Sequence, residues 1–319
     1  MKKILIIGAG NIGLRHLESL GKSNILLKIF IYDLFISKQI KKKISDIQKI
    51  NTKVNIEILT NFSSNLNFDV CIISTNAQER YHLTLYSIIN LNIKNIILEK
   101  IAFQSNQQYE KIIKISKKNK VNIFVNCPRR SYKLFKDIKN KVKDKKGILR
   151  LSYFGNNWGL CSNSVHFFDL LMFLTKFKKK NNLVDNLNNK IIYSKRKNYY
   201  ELTGKIEIYN NKYHLILEDS DIFDENILKL ELGKFFFIIK YDRKNKVNSL
   251  ISNSIRSKKI NIPLQSNLTL QQVKKLIKNN KCELTKLKDY FNYQSLLIKI
   301  FNKKFSTLLK KKITNCPIT

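Results

Sequence analysis

The spacing Gly8-x-Gly10-x-x-Gly13 lies between the apolar run KKILIIG and a helix-like segment over residues 11–21. It constrains the start of this chain more than any other feature. Gly8 permits a tight turn out of a strand, and Gly10 lets backbone approach a pyrophosphate. Gly13 lets the following helix pack closely on that strand. Asn11 and Ile12 fill the interval, at a helix N-terminus whose N–H donors and positive potential favour an anion. Asp33 completes the pattern by ending the next apolar run, LLKIFIYD, 20 residues after Gly13. A carboxylate there accepts both ribose hydroxyls of an adenosine and repels a 2′-phosphate. The expected cofactor is therefore NAD rather than NADP, although Lys38 and Lys41 stand close enough in sequence to reach a 2′-phosphate. His16, on the helix after the turn, either approaches the cofactor, lies at the surface or packs the helix.

Strand-like runs continue at residues 54–60, 68–75, 95–100 and 121–126, with helical patterns between them. That alternation predicts βαβ units, a parallel sheet and a doubly wound, Rossmann-type α/β domain over residues 1–126. Thr75 and Asn76 end the fourth strand, at the edge where such sheets bind nucleotides. Beyond Cys127 the pattern changes. Helices are expected over residues 131–142 and 164–174, with a strand at 148–154. Strand-like stretches at 191–194, 205–210, 213–218, 227–232 and 234–241 then follow without helices between them, and NNK suggests a hairpin turn. Helical character returns from residue 269 to 309. Residues 127–319 are thus expected to form an α+β domain with a mostly antiparallel, open sheet.

Charge and cysteines narrow the function classes. The 60 lysines and arginines give a formal charge of +37, but the lysines are spread along the chain rather than gathered into a basic motif. The clusters Lys41–Lys43, Lys178–Lys180 and Lys310–Lys312 are short. This distribution reads as solvated surface and predicts no specific nucleic-acid partner. No apolar run reaches the length of a membrane helix. The charged-then-apolar N-terminus lacks a convincing cleavage region, so a cytoplasmic protein is expected. Five scattered cysteines and four histidines show no metal-ligand spacing, so neither a metal nor a disulfide framework is expected.

GAGNIGLRH, CIISTN, the strand ending LEK and the later SVHFFDLL together resemble the Gfo/Idh/MocA oxidoreductases, along essentially the whole chain. VNCPRR, WGLCSNSVHFFD and TKLKDYFNYQSLL look like a branch found among bacterial surface-polysaccharide enzymes. The resemblance implies hydride transfer between a nicotinamide and a sugar, cyclitol or nucleotide sugar. It also implies a homo-oligomer, dimer or tetramer, assembled through the open sheet. The family's Glu-Lys-Pro motif falls on Glu99-Lys100-Ile101, which puts Glu99 beside the cofactor and Lys100 beside the reacting hydroxyl. The active-site histidine falls on His166, while the family's aspartate one turn earlier falls on Ser162. A non-proline cis bond costs about 3–4 kcal/mol, so Ile101 argues against a cis bond after Lys100.

Chemistry asks for the same residue types. Removing a hydride from a carbinol requires its hydroxyl proton to leave, which an imidazole accepts near neutral pH. An ammonium stabilises the alkoxide character that develops. Asn126, Arg129 and Arg130 follow the sixth strand, where an arginine would clamp a phosphate or carboxylate of the substrate or make a salt bridge to the other domain. Trp158 and Asn163 suit a sugar pocket, and Asp169 would orient His166 or anchor its helix. Loss of the proline and of the acid also admits a non-catalytic, dinucleotide-binding sensor or scaffold.

Overall fold

The computed structural model describes residues 1–62, 66–175, 181–242, 247–253, 255–258 and 265–319. The Lys178–Lys180 cluster lies outside them. The first half alternates β1 (Lys2–Ile7), α1 (Asn11–Leu20), β2 (Leu27–Tyr32), α2 (Lys38–Ile50) and β3 (Val54–Leu59). It continues with β4 (Asn67–Ile73), α3 (Ala77–Asn90), β5 (Asn92–Leu98), α4 (Asn106–Lys118) and β6 (Asn122–Val125). The last four residues of β1, β4 and β5 are all buried. Continuous apolar runs of this kind suit a parallel sheet covered on both faces. The strands lie in the order β6-β5-β4-β1-β2-β3, all parallel. The order reverses between β1 and β4, so the crevice beyond their carboxyl ends is where such a sheet binds ligands. This is the Rossmann-type sheet expected from the sequence.

The rest of the chain begins with α5 (Lys133–Val142), β7 (Leu149–Gly155), α6 (Leu160–Thr175) and β8 (Asn182–Leu187). A short ribbon of β9 (Ile192–Tyr193) and β10 (Tyr200–Glu201) follows. Next come β11 (Gly204–Tyr209), β12 (Tyr213–Asp219), β13 (Asn226–Leu232), β14 (Phe235–Tyr241), β15 (Val247–Ser252) and β16 (Ile255–Lys258). The last elements are α7 (Thr269–Asn279), β17 (Thr285–Lys286) and α8 (Leu287–Leu308). Eight strands form one sheet in the order β16-β15-β14-β13-β7-β12-β11-β8, antiparallel except where β7 meets β12. Strict alternation in β12 and β13 buries one face and leaves the other half-exposed. The buried face carries α6, whose apolar residues surround the helix and pack on β7 and β12. The hairpin expected at NNK joins β11 to β12, and Asn210 Oδ1 accepts from the N–H groups of Lys212 and Tyr213 at 2.8 and 3.1 Å.

Contacts divide the chain into two units. The first holds the described residues of 1–128 and 263–291 with Thr319; the second holds those of 129–262 and 292–318. Within the first unit, β17 adds an antiparallel strand to β6, and Val273 and Leu276 of α7 join the core of the parallel sheet. No lysine with a described side chain is buried, so the excess charge is carried at the surface. No helix among the described residues is long and apolar enough to cross a membrane.

Candidate functional site

Gly8 leaves β1 with φ +91°, a left-handed conformation that favours glycine. A Cβ on Gly13 would stand 2.0 Å from the Gly8 carbonyl oxygen, so helix and turn touch backbone to backbone. Gly10 is different: a Cβ there would meet nothing within 4 Å. Gly10 is also the N-cap of α1, which has no side-chain cap, whereas Ser37, Asn76 and Ser105 cap α2, α3 and α4. The amide donors of Asn11 and Ile12 thus begin a helix beside open space, a cradle that fits a pyrophosphate. Asp33, half-buried after β2, accepts from Ala9 N–H at 2.5 Å and Phe35 N–H at 2.9 Å. Its carboxylate therefore steadies the glycine turn from the position expected of the ribose-binding acid.

At the carboxyl end of β5, Glu99 is held by a chain of hydrogen bonds. His16 Nε2 lies 2.9 Å from Glu99 Oε1, Asn126 Nδ2 donates to the same oxygen at 2.5 Å, and His16 Nδ1 lies 2.7 Å from Thr269 Oγ1. Burial works to raise the Glu99 pKa, but hydrogen bonds from His16 and Asn126 and the charges of His16 and Arg80 outweigh it. Glu99 is accordingly held as a carboxylate. His16 is 1% exposed and packs against Glu99, so it is not a surface residue. Thr269 lies more than 160 residues from Glu99 in the chain, and no local pattern marks it.

Lys100 follows Glu99 and is half-buried. The Lys100–Ile101 peptide bond is cis, contrary to the expectation from the missing proline. Ile101, Ala102 and Phe103 are fully buried, and Arg80 donates to the carbonyls of Ile101 and Thr75. Arg80, on α3, thus ties the loop after β5 to the end of β4. The Thr75 methyl faces Gly8, and Asn76 Oδ1 caps α3 through Glu79 N–H at 3.1 Å.

In the second unit His166 lies on α6, 3% exposed. Ser162 and Cys161 open that helix, and their N–H groups donate to Glu201 at 3.2 and 2.8 Å. A carboxylate thus stands beside Ser162, and it comes from β10. Arg130 and Asp169 bond each other as a fork, at 2.9 Å (Nε–Oδ2) and 2.7 Å (Nη2–Oδ1), and Tyr293 donates to Asp169 at 3.2 Å. The pair ties α6 to the turn that precedes α5. Trp158 is buried, donates to the Glu218 carbonyl at 2.9 Å and meets Tyr153 and Phe167 edge-on. Asn163 Nδ2 donates to the Trp158 carbonyl at 2.6 Å. Asp219 receives the Asn157 and Gly159 N–H groups at 2.8 and 3.2 Å, and burial raises its pKa against those bonds. Glu201 and Asp219 escaped the sequence reading because each holds a loop that lies far from it in the chain.

No family model matches the chain, and no curated protein matches it. Solved structures do. UDP-N-acetylglucosamine 3-dehydrogenase GnnA from Acidithiobacillus ferrooxidans is 9% identical over 94% of this chain and 97% of its own, with a TM-score of 0.65. An oxidoreductase from Agrobacterium radiobacter, in complex with NAD+, L-tartaric acid and magnesium, is 12% identical, with 93% and 94% coverage and a TM-score of 0.65. The fold is that of the Gfo/Idh/MocA-type oxidoreductases. The transcriptional regulator Gal80p from Kluyveromyces lactis is similar too, at 13% identity, 98% and 93% coverage and a TM-score of 0.68.

Proposed function

We propose that this chain is a cytoplasmic, NAD-dependent oxidoreductase acting on a hydroxyl or keto carbon of a sugar, cyclitol or nucleotide sugar, in bacterial surface-glycan synthesis. The observation that carries the reading is the open space at Gly10 beside the uncapped start of α1, next to the Asp33 carboxylate. Bound NAD would supply the hydride acceptor. Gly8, Gly10, Asn11, Ile12 and Gly13 hold its pyrophosphate, Asp33 its ribose, and Thr75, Asn76 and Glu99 line the same strand ends. Lys100 stabilises alkoxide character on the substrate oxygen, and His166 takes the hydroxyl proton on a ring nitrogen. Asn126, Arg129, Arg130, Trp158, Ser162, Asn163 and Asp169 bind the substrate directly or shape the surfaces that do.

A second reading, a dinucleotide-binding protein without catalysis, is favoured by Ser162 in place of the acid and by the likeness to Gal80p. Turnover of a broad panel of sugars and nucleotide sugars tests the choice. Tight NAD binding with no turnover would select the second reading.

Wild-type protein should bind NAD at least about tenfold more tightly than NADP, a difference of about 1.4 kcal/mol. Asp33→Ala should narrow that gap by removing the charge that repels a 2′-phosphate. Calorimetric dissociation constants for both cofactors in both proteins check this, and tighter NADP binding by the wild type would overturn it.

The chain should also assemble with itself. On the half-exposed face of the eight-stranded sheet, Phe154, Ile216, Ile227, Phe236 and Ile238 are apolar. Phe237, Ile239 and Tyr241 turn to the buried face, as strand alternation requires. Light scattering at micromolar concentration should report a dimer or tetramer, and Ile238→Glu should shift it toward monomer. A wild-type monomer would count against this reading.

A further inference from the structure

Arg129 differs from its neighbour. The Arg130 fork is filled by Asp169, whereas no carboxylate of the described residues lies within ion-pair distance of Arg129. Its guanidinium stacks on the Phe167 ring, 4.4 Å from the centroid, and makes one long hydrogen bond, 3.4 Å from Nη1 to Tyr241 Oη. Its Nε is buried with no acceptor. The surrounding side chains add donors rather than acceptors. Tyr153 lies tilted against Phe167 at 4.1 Å and meets Tyr241 at 6.0 Å, and both tyrosines are more than nine-tenths buried. Among the described residues neither phenol O–H has an acceptor. Burial raises the Tyr153 pKa, so its hydroxyl keeps its proton and remains a donor. Asp219, a nearby carboxylate that Tyr153 senses, is occupied by the Asn157 and Gly159 N–H groups.

A guanidinium and two phenols therefore converge, one helical residue from His166, with more donors than the protein supplies acceptors. A stacked arginine with an open fork matches the paired oxygens of a carboxylate or phosphate. We propose that Arg129, Tyr153 and Tyr241 bind an anionic oxygen group of the substrate, so that the sugar handled here is a sugar acid or a phosphate ester. The proposal rests on the oxidoreductase reading for its use of the word substrate, but the binding site stands on the second unit's own geometry.

Calorimetric titration of the full chain with D-glucuronate, glucose 1-phosphate and glucose, with and without saturating NAD, tests it. The net charge of +37 attracts any anion, so each titration is repeated at raised salt and in Arg150→Gln, an exposed arginine on the opposite face of the sheet. At least one anionic sugar should bind about tenfold or more tightly than glucose in wild type and Arg150→Gln, at both salt concentrations. Which of the two does so tells carboxylate from phosphate. Arg129→Gln should erase the preference, and so should Tyr153→Phe combined with Tyr241→Phe, which keeps the rings and removes only the hydroxyls. Equal binding of all three sugars overturns the proposal, as does a preference that survives in those variants or vanishes with salt. NAD binding measured in parallel separates the two readings. Absent NAD binding with an Arg129-dependent preference would refute the oxidoreductase and uphold the anion site.

Discussion

Lys100→Met should retain NAD binding and lose at least about a hundredfold in turnover, the lower range for electrostatic and acid–base groups. The methionine keeps much of the length and bulk of lysine but carries no charge, so alkoxide character on the substrate loses its counter-charge. His166→Ala should lose a similar factor. His166 is buried on α6 among Val165, Phe167 and Phe168, so alanine also leaves a cavity. His166→Gln fills more of that space without supplying a base, and should show the same rate loss with a smaller fall in melting temperature. Near-wild-type turnover by both the Lys100 and His166 variants would show the assignment to be wrong.

Substitution of the glycines should separate folding from binding. In Gly13→Ala the new methyl would stand 2.0 Å from the Gly8 carbonyl oxygen, a clash between two backbones with no flexible atom to yield. Overpacking of this kind costs about 1–3 kcal/mol and sometimes more, so melting should fall by several degrees even without cofactor. Gly10→Ala meets nothing within 4 Å and should lose only the smaller cost of a poorer N-cap, about 1 kcal/mol or less. Its methyl occupies the space assigned to the pyrophosphate, so NAD affinity should drop by about tenfold, or 1.4 kcal/mol, and further in Gly10→Val. Unchanged NAD affinity in Gly10→Val would remove the main support for a nucleotide at this turn. An unaltered melt in Gly13→Ala would contradict the close approach of α1 to the turn.

Much of this was legible because the signals are local. Apolar runs broken by helices announce a parallel sheet, and three glycines with an acid 20 residues later mark its first turn. Strand-like runs at 205–210, 213–218, 227–232 and 234–241 each became a strand, from β11 to β14. What escaped depends on partners far apart in the chain. Strand β8 shows no hydrophobic pattern, with five of its six residues exposed, because it is an edge of the second sheet. Helix α6 begins at Leu160 rather than at residue 164, since Glu201 on β10 holds its first N–H groups. Arg80 was one cation among 60 until its bonds to the carbonyls of Thr75 and Ile101 were visible. Residues 269–309 read as one helical region, yet they divide into α7, β17 and α8, and only the first two return wholly to the first unit.

That return governs when the molecule can finish folding during synthesis. The parallel sheet is encoded by residue 125, but the strand that closes its β6 edge is at Thr285–Lys286, and the threonine that completes the His16–Glu99 chain is at position 269. At about 5–20 residues per second of translation, roughly 10–30 s separate the emergence of β6 from that of β17. Through that interval the nascent sheet holds an open edge while residues 129–262 of the second unit are made. A nascent chain stalled near residue 260 would therefore carry Glu99 and His16 without the Thr269 that completes their chain of hydrogen bonds.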